Sequence, residues 1–224
     1  MVGRRAAAPA PFSPLDIADL EAWYRETYAS GTWVDLSGKG RDLTQATAGS
    51  RPTQVARAGQ AALSFDGGDW VQGAFGATLS QPLTVYAVFE PTSLATQRYI
   101  FDGDDASNRV ALYTDTTPNY GVHAPTARTG GTPTLAIHAA CFTANGASSA
   151  LRVDNFAGAA ITLSGDPGTA GLDGLTVGAR YLQNINWQGY IWEIILYSGA
   201  HNAATRKLVG DYLTARYTGL TVTT

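Results

Sequence analysis

The chain has a single cysteine, Cys141, so no intrachain disulfide framework holds it together. Charge is also scarce: Asp, Glu, Lys and Arg make up 15% of the 224 residues, where about a quarter is usual for soluble domains. The net charge is −3 and no basic block is present, which argues against a nucleic-acid partner. No apolar run is long enough to span a bilayer, so membrane insertion is not expected. The N-terminus, MVGRRAAAPAPFSP, carries two arginines but breaks its alanines with prolines where a signal peptide needs an apolar core. Synthesis in a bacterial cytoplasm without a signal peptide is the corresponding expectation.

What the chain does have is glycine, at 25 residues, aromatic side chains at 10% and hydrophobic residues at 45%. That mixture suits strands and turns more than helices. The length fits one large all-β domain and buries a substantial core without staples.

A Gly-Lys-Gly sits in DLSGKGRDL, residues 35–43, and invites comparison with a phosphate-binding loop. The template needs a glycine five positions before Gly38, a hydroxyl residue after Lys39 and a following helix. The chain has Trp33, Gly40 and a Thr/Ala/Gly/Ser stretch instead. The segment therefore reads as a turn, with Asp35 and Ser37 bonding nearby backbone amides.

Residues 1–12 read as a flexible arm, and 13–224 as a single domain. Ser13 and Pro14 have the form of a helix cap and first helical position. Strands are expected at LEAWYRE from Glu21 and over 61–65, 70–74, 83–90, 99–102 and 110–114. Further strands are expected over 135–143, 150–155, 175–179 and 190–198, between Gly, Pro, Asn and Asp turn signals. The period then changes. Asn202 caps a helix whose apolar face is Leu208, Val209, Tyr212, Leu213 and Tyr217. A dozen or so strands and one closing helix give an antiparallel β-sandwich.

The succession Trp33-x-Asp35-Leu36-Ser37-Gly38-x-Gly40-Arg41-Asp42, Phe65-Asp66-Gly67-Gly68-Asp69, LTVYAVFE, Val177-Gly178-Ala179-Arg180 and Gly189–Tyr197 resembles laminin-G-like domains of the concanavalin A-like lectin/glucanase superfamily. The resemblance runs from about residue 14 to residue 218. It implies an all-β, two-sheet antiparallel jelly-roll sandwich with a short C-terminal helix. It also implies carbohydrate binding, with a cell-surface polysaccharide as partner, and a place in phage tail or virion proteins. Residues 1–12 would then contact other virion proteins, and by analogy with phage receptor binders the chain would form a homo-oligomer. A structural decoration or assembly protein of the virion, anchored by the same arm, is the alternative. A polysaccharide hydrolase or lyase is the second alternative.

Catalysis is not expected from the residues themselves. Retaining glycosidases need two carboxyl groups about 5–5.5 Å apart. The four glutamates are Glu21, Glu26, Glu90 and Glu193, and no expected strand carries acids in alternation. Glu193 interrupts YIWEIILY and reads as a solvent-facing or arginine-paired residue. His138 and Cys141 are three apart, on opposite faces of a strand, and so form no thiolate dyad. The chain is therefore expected not to be an enzyme.

Two kinds of site remain. Asp102, Asp104, Asp105 and Asn108 offer hard oxygens around Gly103, a pattern that suits Ca²⁺, although the same residue types also build β-turns. No other cofactor is expected. Sugars stack on rings and offer hydroxyls to polar side chains. Arg180, Tyr181, Asn184, Asn186 and Trp187 have that composition between two strands, and Tyr113, Tyr120 and His123 form a second such segment. For Trp187 the alternative is a ring covering the end of the sandwich.

Overall fold

A computed structural model describes residues 11–224. The expected arm lies outside the described residues except for Pro11 and Phe12. Phe12 rests edge-on against Tyr212, with ring centroids 6.1 Å apart. Ser13 caps the short 3-10 turn Pro14–Asp16 through a reciprocal capping box with Asp16.

Sixteen strands follow among the described residues. The first half comprises β1 (Leu20–Tyr24), β2 (Tyr28–Ala29), β3 (Thr32–Trp33), β4 (Leu43–Thr44), β5 (Thr53–Arg57), β6 (Gln60–Asp66), β7 (Val71–Leu79) and β8 (Leu83–Pro91). The second half comprises β9 (Arg98–Asp102), β10 (Ala111–Thr114), β11 (Tyr120–His123), β12 (Ala127–Gly130), β13 (His138–Ala144), β14 (Ala150–Val153), β15 (Leu172–Val177) and β16 (Gln188–Ser198). Helix α1 (Ala203–Arg216) closes the domain, capped by the Asn202 side chain on the amide of Thr205.

The strands form two antiparallel sheets. Seven make one sheet, ordered β14-β13-β8-β16-β6-β5 with β1 also on β16; nine make the other, ordered β12-β11-β10-β9-β15-β7-β4-β3-β2. The expected two-sheet sandwich with a short C-terminal helix is what the chain forms. Alternation in LTVYAVFE explains its central place. Leu83, Val85, Ala87 and Phe89 point between the sheets, where they meet Leu112, Leu175 and Val177 of the other sheet. Tyr86 and Val88 point the other way, and α1 covers them with Val209, Leu213 and Tyr217. Both faces of this strand are therefore buried. Each large side chain so placed contributes about 1.5–3 kcal/mol.

The molecule thus has three layers, with α1 on the outer face of the seven-stranded sheet. Among the described residues no helix lies over the outer face of the nine-stranded sheet. That asymmetry leaves one sheet surface for the loops to shape.

The DLSGKGRDL segment folds around a carboxylate. Asp35 accepts from the amides of Trp23, Ser37 and Arg41, while Gly38 and Gly40 take positive φ of 82° and 70°. The turn reading holds and the segment makes no phosphate cradle.

Glu193 departs from expectation. It is fully buried between β16 and α1, not solvent-facing. Its carboxylate accepts from the Trp23 indole at 2.5 Å, the Tyr212 phenol at 2.8 Å and the Tyr217 phenol at 2.6 Å. Burial raises its pKa, and these three donors pull it back down. Replacing Glu193 with Ala removes the acceptor shared by the buried Trp23 and Tyr217 and the half-buried Tyr212. The expected loss is about 3–5 kcal/mol of stability, read as a fall in the urea midpoint, with a smaller loss for Glu193→Gln.

Candidate functional site

The outer face of the nine-stranded sheet gathers polar and aromatic side chains at neighbouring strands. Tyr99 of β9 and Tyr113 of β10 pair in register, and their rings stack with centroids 4.8 Å apart and planes 22° from parallel. Gly121 of β11 lies opposite Tyr113. A Cβ at Gly121 would come within 2.1 Å of the Tyr113 ring, so the missing side chain is what lets that ring lie flat on the sheet. His123 follows two residues on, across from Ala111.

An ion pair fixes this floor. Arg109 donates to both oxygens of Asp102, at 3.0 Å from Nε and 2.7 Å from its terminal nitrogen, and Asp102 is wholly buried. Burial raises the Asp102 pKa, while Arg109 and the amides of Tyr181 and Gly103 act to lower it. The Tyr181 amide reaches the same carboxylate at 3.0 Å and so draws the 180–187 loop down onto the sheet. Arg109 also donates to Nε2 of His123 at 3.4 Å. Arginine has no acceptor, so Nε2 accepts and the neutral ring carries its proton on Nδ1. Burial first, then the positive charges of Arg109 and Arg180, push the His123 pKa down to about 4.

The loop forms the wall. Gln183 and Ile185 adopt left-handed φ of 57° and 56°, and Arg180 and Asn184 close a turn between their backbones. The Ile185 carbonyl accepts from the amide of Tyr99, and Ile185 packs on Tyr99 and Tyr113. The Tyr181 ring has Arg109 4.4 Å and Arg180 5.0 Å from its centroid. Four buried N–H groups of the floor and loop have no acceptor among the described residues: Nε of Arg180 and Nδ1 of His123 on this face, and Trp187 Nε1 and Arg98 Nε at the anchored end of the loop.

Beside the floor lies an acid pair. Asp104, just after β9, and Asp173 of β15 bring their carboxyl groups together, and Asn108 donates to Asp173 at 2.7 Å. Burial, then the hydrogen bond and charge of Asp173, raise the Asp104 carboxyl to about 6. One oxygen of each acid is buried without another partner. Gln72 of β7 flanks the pair, bonding the Asp104 carbonyl and the Thr176 hydroxyl and accepting from Gln183.

Of the residues expected to bind ligand, Arg180, Tyr181, Tyr113 and His123 meet on this face, and Asn184 is exposed at the loop turn. Three are corrected. Trp187 is fully buried, edge-on to Phe89 with centroids 5.7 Å apart, and anchors the loop in the inter-sheet core. Tyr120 points into the same core because it alternates with Gly121 along β11. Asn186 reaches toward the Asp69 carbonyl and accepts from Arg98 through its own carbonyl, joining the loop to neighbouring segments.

The metal reading changes as well. Asp102 is engaged by Arg109, and Asp105 caps the turn at Ser107 and Asn108. Asp104 and Asn108 both turn toward Asp173, and among the described residues no group of three or more His, Cys, Asp or Glu is arranged to hold a metal ion. The sequence reading missed Tyr99, Arg109, Gln72 and Asp173. Tyr99 and Arg109 border expected strands and have a local signal, but nothing local ties Asp173 to Asp104.

No family profile and no curated protein matches the chain. Solved structures share its fold. Trypanosoma rangeli sialidase in complex with sialic acid aligns at 15% identity over 87% of this chain and 33% of its own, with a TM-score of 0.60. Domain 4 of AbnA, a GH43 extracellular arabinanase from Geobacillus stearothermophilus in complex with arabinotriose, aligns at 16% over 85% of this chain and 98% of its own, with a TM-score of 0.63. A GH54 α-L-arabinofuranosidase soaked with a cyclic sulfate inhibitor aligns at 16% over 84% and 51%, with a TM-score of 0.58. The chain therefore spans about a third of the sialidase it matches. Membership of the laminin-G-like group and a virion context find no support in these matches.

The expectation that the chain is not an enzyme is corrected at this point. Its fold neighbours are glycoside hydrolases, although identities this low establish the fold alone. Asp104 and Asp173 also come together from separate segments, a proximity that acids spaced along one strand do not reveal.

The acid pair carries a pH signature. A carboxyl raised in the folded state favours folding while protonated, and loses that contribution as pH rises from its unfolded value toward about 6. Asp104→Asn, which cannot ionise, should gain stability relative to the parent chain as pH rises from about 4 to about 6. Paired urea titrations across that range check the sign, and a constant difference would show that the Asp104 carboxyl is not raised in the folded state.

Proposed function

We propose that this domain binds carbohydrate on the outer face of its nine-stranded sheet, where Tyr181, Arg180 and His123 are half-buried above the buried Tyr99, Tyr113 and Arg109. The observation that carries the reading is the pair of N–H groups without acceptors, on Arg180 and His123, beside the half-buried Tyr181 ring. A saccharide satisfies both needs: its hydroxyl and ring oxygens accept from nitrogen donors, and its C–H faces pack on rings. The fold likeness to an arabinanase domain solved with arabinotriose, which this chain matches over nearly its whole length, supports the same class of ligand. A cell-surface polysaccharide is the partner this reading names.

Asp102, Arg109 and the Tyr181 amide hold the floor and wall together, and the ligand reaches the two shielded donors by local movement of the 180–187 loop. A glycan array followed by calorimetry on the best binder tests the proposal. Tyr181→Ala should weaken binding about tenfold or more, as expected for loss of a stacking ring, while the thermal midpoint shifts little because Tyr181 is half-buried. Equal affinity in Tyr181→Ala would place the ligand elsewhere on the molecule.

A further inference from the structure

Arg180 is unusual among the arginines of this face. Arg109 is matched by Asp102, whereas the Arg180 side chain makes no hydrogen bond or ion pair among the described residues. Its guanidinium lies by the Tyr181 ring, and its Nε is shielded from water without an acceptor. A buried donor left in that state costs free energy until an acceptor arrives. The second orphan donor, Nδ1–H of His123, belongs to the same cluster, and the charge of Arg180 is felt at that ring.

The acids of this face do not supply the missing acceptor. Asp102 has both oxygens on Arg109. Asp104 and Asp173 face each other on the β15 side, and Asp105 turns back to the amides of Ser107 and Asn108. Asp115 is taken up by Thr117 and Asn119. Among the described residues the face therefore offers one cation without an acid partner, Arg180, and two orphan N–H donors above the buried Tyr99–Tyr113 pair.

We infer that the saccharide bound here is acidic, a sugar bearing a carboxylate that pairs with the guanidinium of Arg180 and accepts from His123. This inference rests on the carbohydrate-binding reading above and narrows it. A guanidinium presents parallel N–H groups that fit the two oxygens of a carboxylate, and such charge-assisted bonds are about twice as strong as neutral ones. A neutral glycan would fill the hydroxyl contacts and leave the Arg180 charge unmatched.

The test uses the full chain and three uronate polymers: polygalacturonate, alginate and hyaluronate. Each is offered as the native polymer and as its carboxyl-reduced, neutral form, in low-salt buffer, with affinity read by calorimetry or affinity electrophoresis. At least one polymer should bind about tenfold or more tightly as the carboxylate than as the reduced form. Arg180→Gln should bring that ratio close to one, and Arg180→Lys should restore part of it, because lysine keeps the charge but not the planar fork. Circular dichroism of each variant confirms that the fold is intact.

Equal binding of native and reduced polymers overturns the inference while leaving the carbohydrate reading standing. An unchanged ratio in Arg180→Gln also overturns it, since the preference would then come from another cation. No binding to any polymer in either form, combined with an empty glycan array, sinks the carbohydrate reading itself.

Discussion

The buried pair of Asp102 and Arg109 is the interaction on which the candidate site depends. Asp102 ends β9, Arg109 precedes β10, and the Tyr181 amide reaches the same carboxylate from a loop about eighty residues further along the chain. Three segments are therefore fixed relative to one another by one charged group in a dry setting. Taking either partner away leaves an unpaired charge out of water, which is far more costly than losing a surface contact. The pair also sets the tautomer of His123 and the position of the Tyr181 ring, through the two remaining faces of the guanidinium. Architecture and recognition chemistry meet at this one point.

The layer arrangement explains why the site lies where it does. Helix α1 and the segment after it bury the outer face of the seven-stranded sheet under Val209, Leu213, Tyr217, Leu220 and Val222. The cage of Trp23, Tyr212 and Tyr217 around Glu193 locks helix to sheet with directed bonds as well as apolar contact. Among the described residues no helix covers the nine-stranded sheet; there the 180–187 loop packs over Tyr99 and Tyr113 and leaves Tyr181 and His123 half-buried. A loop whose tip is exposed and whose end is anchored by Trp187 suits a ligand wall, because it adjusts at the tip without moving the floor.

Much of this architecture was legible in the sequence because it follows from local pattern. LTVYAVFE, LAIHAACFT and YIWEIILYS read as strands from composition, although the second begins only at His138, and Asn202 with its apolar face read as a capped helix. Strand β12, Ala127–Gly130, escaped notice because edge strands are short and polar. The same period-two rule that reveals a strand does not say which face is covered. Tyr113 and Tyr120 look alike as aromatic residues in one segment, yet they lie on opposite faces of the sheet. Glu193 looked like a surface residue because its three donors come from β1 and from the helix, neither adjacent in sequence. The acid pair of Asp104 and Asp173 was hidden for the same reason: it is made by strand order, with β9 beside β15.

The bare backbone at Gly121 has an evolutionary corollary. Because the Tyr113 ring occupies the space a methyl group would need, the two positions cannot drift independently. In related chains, a bulkier residue at 121 should travel with a smaller one at 113, so that the aromatic platform and the bare strand beside it are inherited, or abandoned, as a unit.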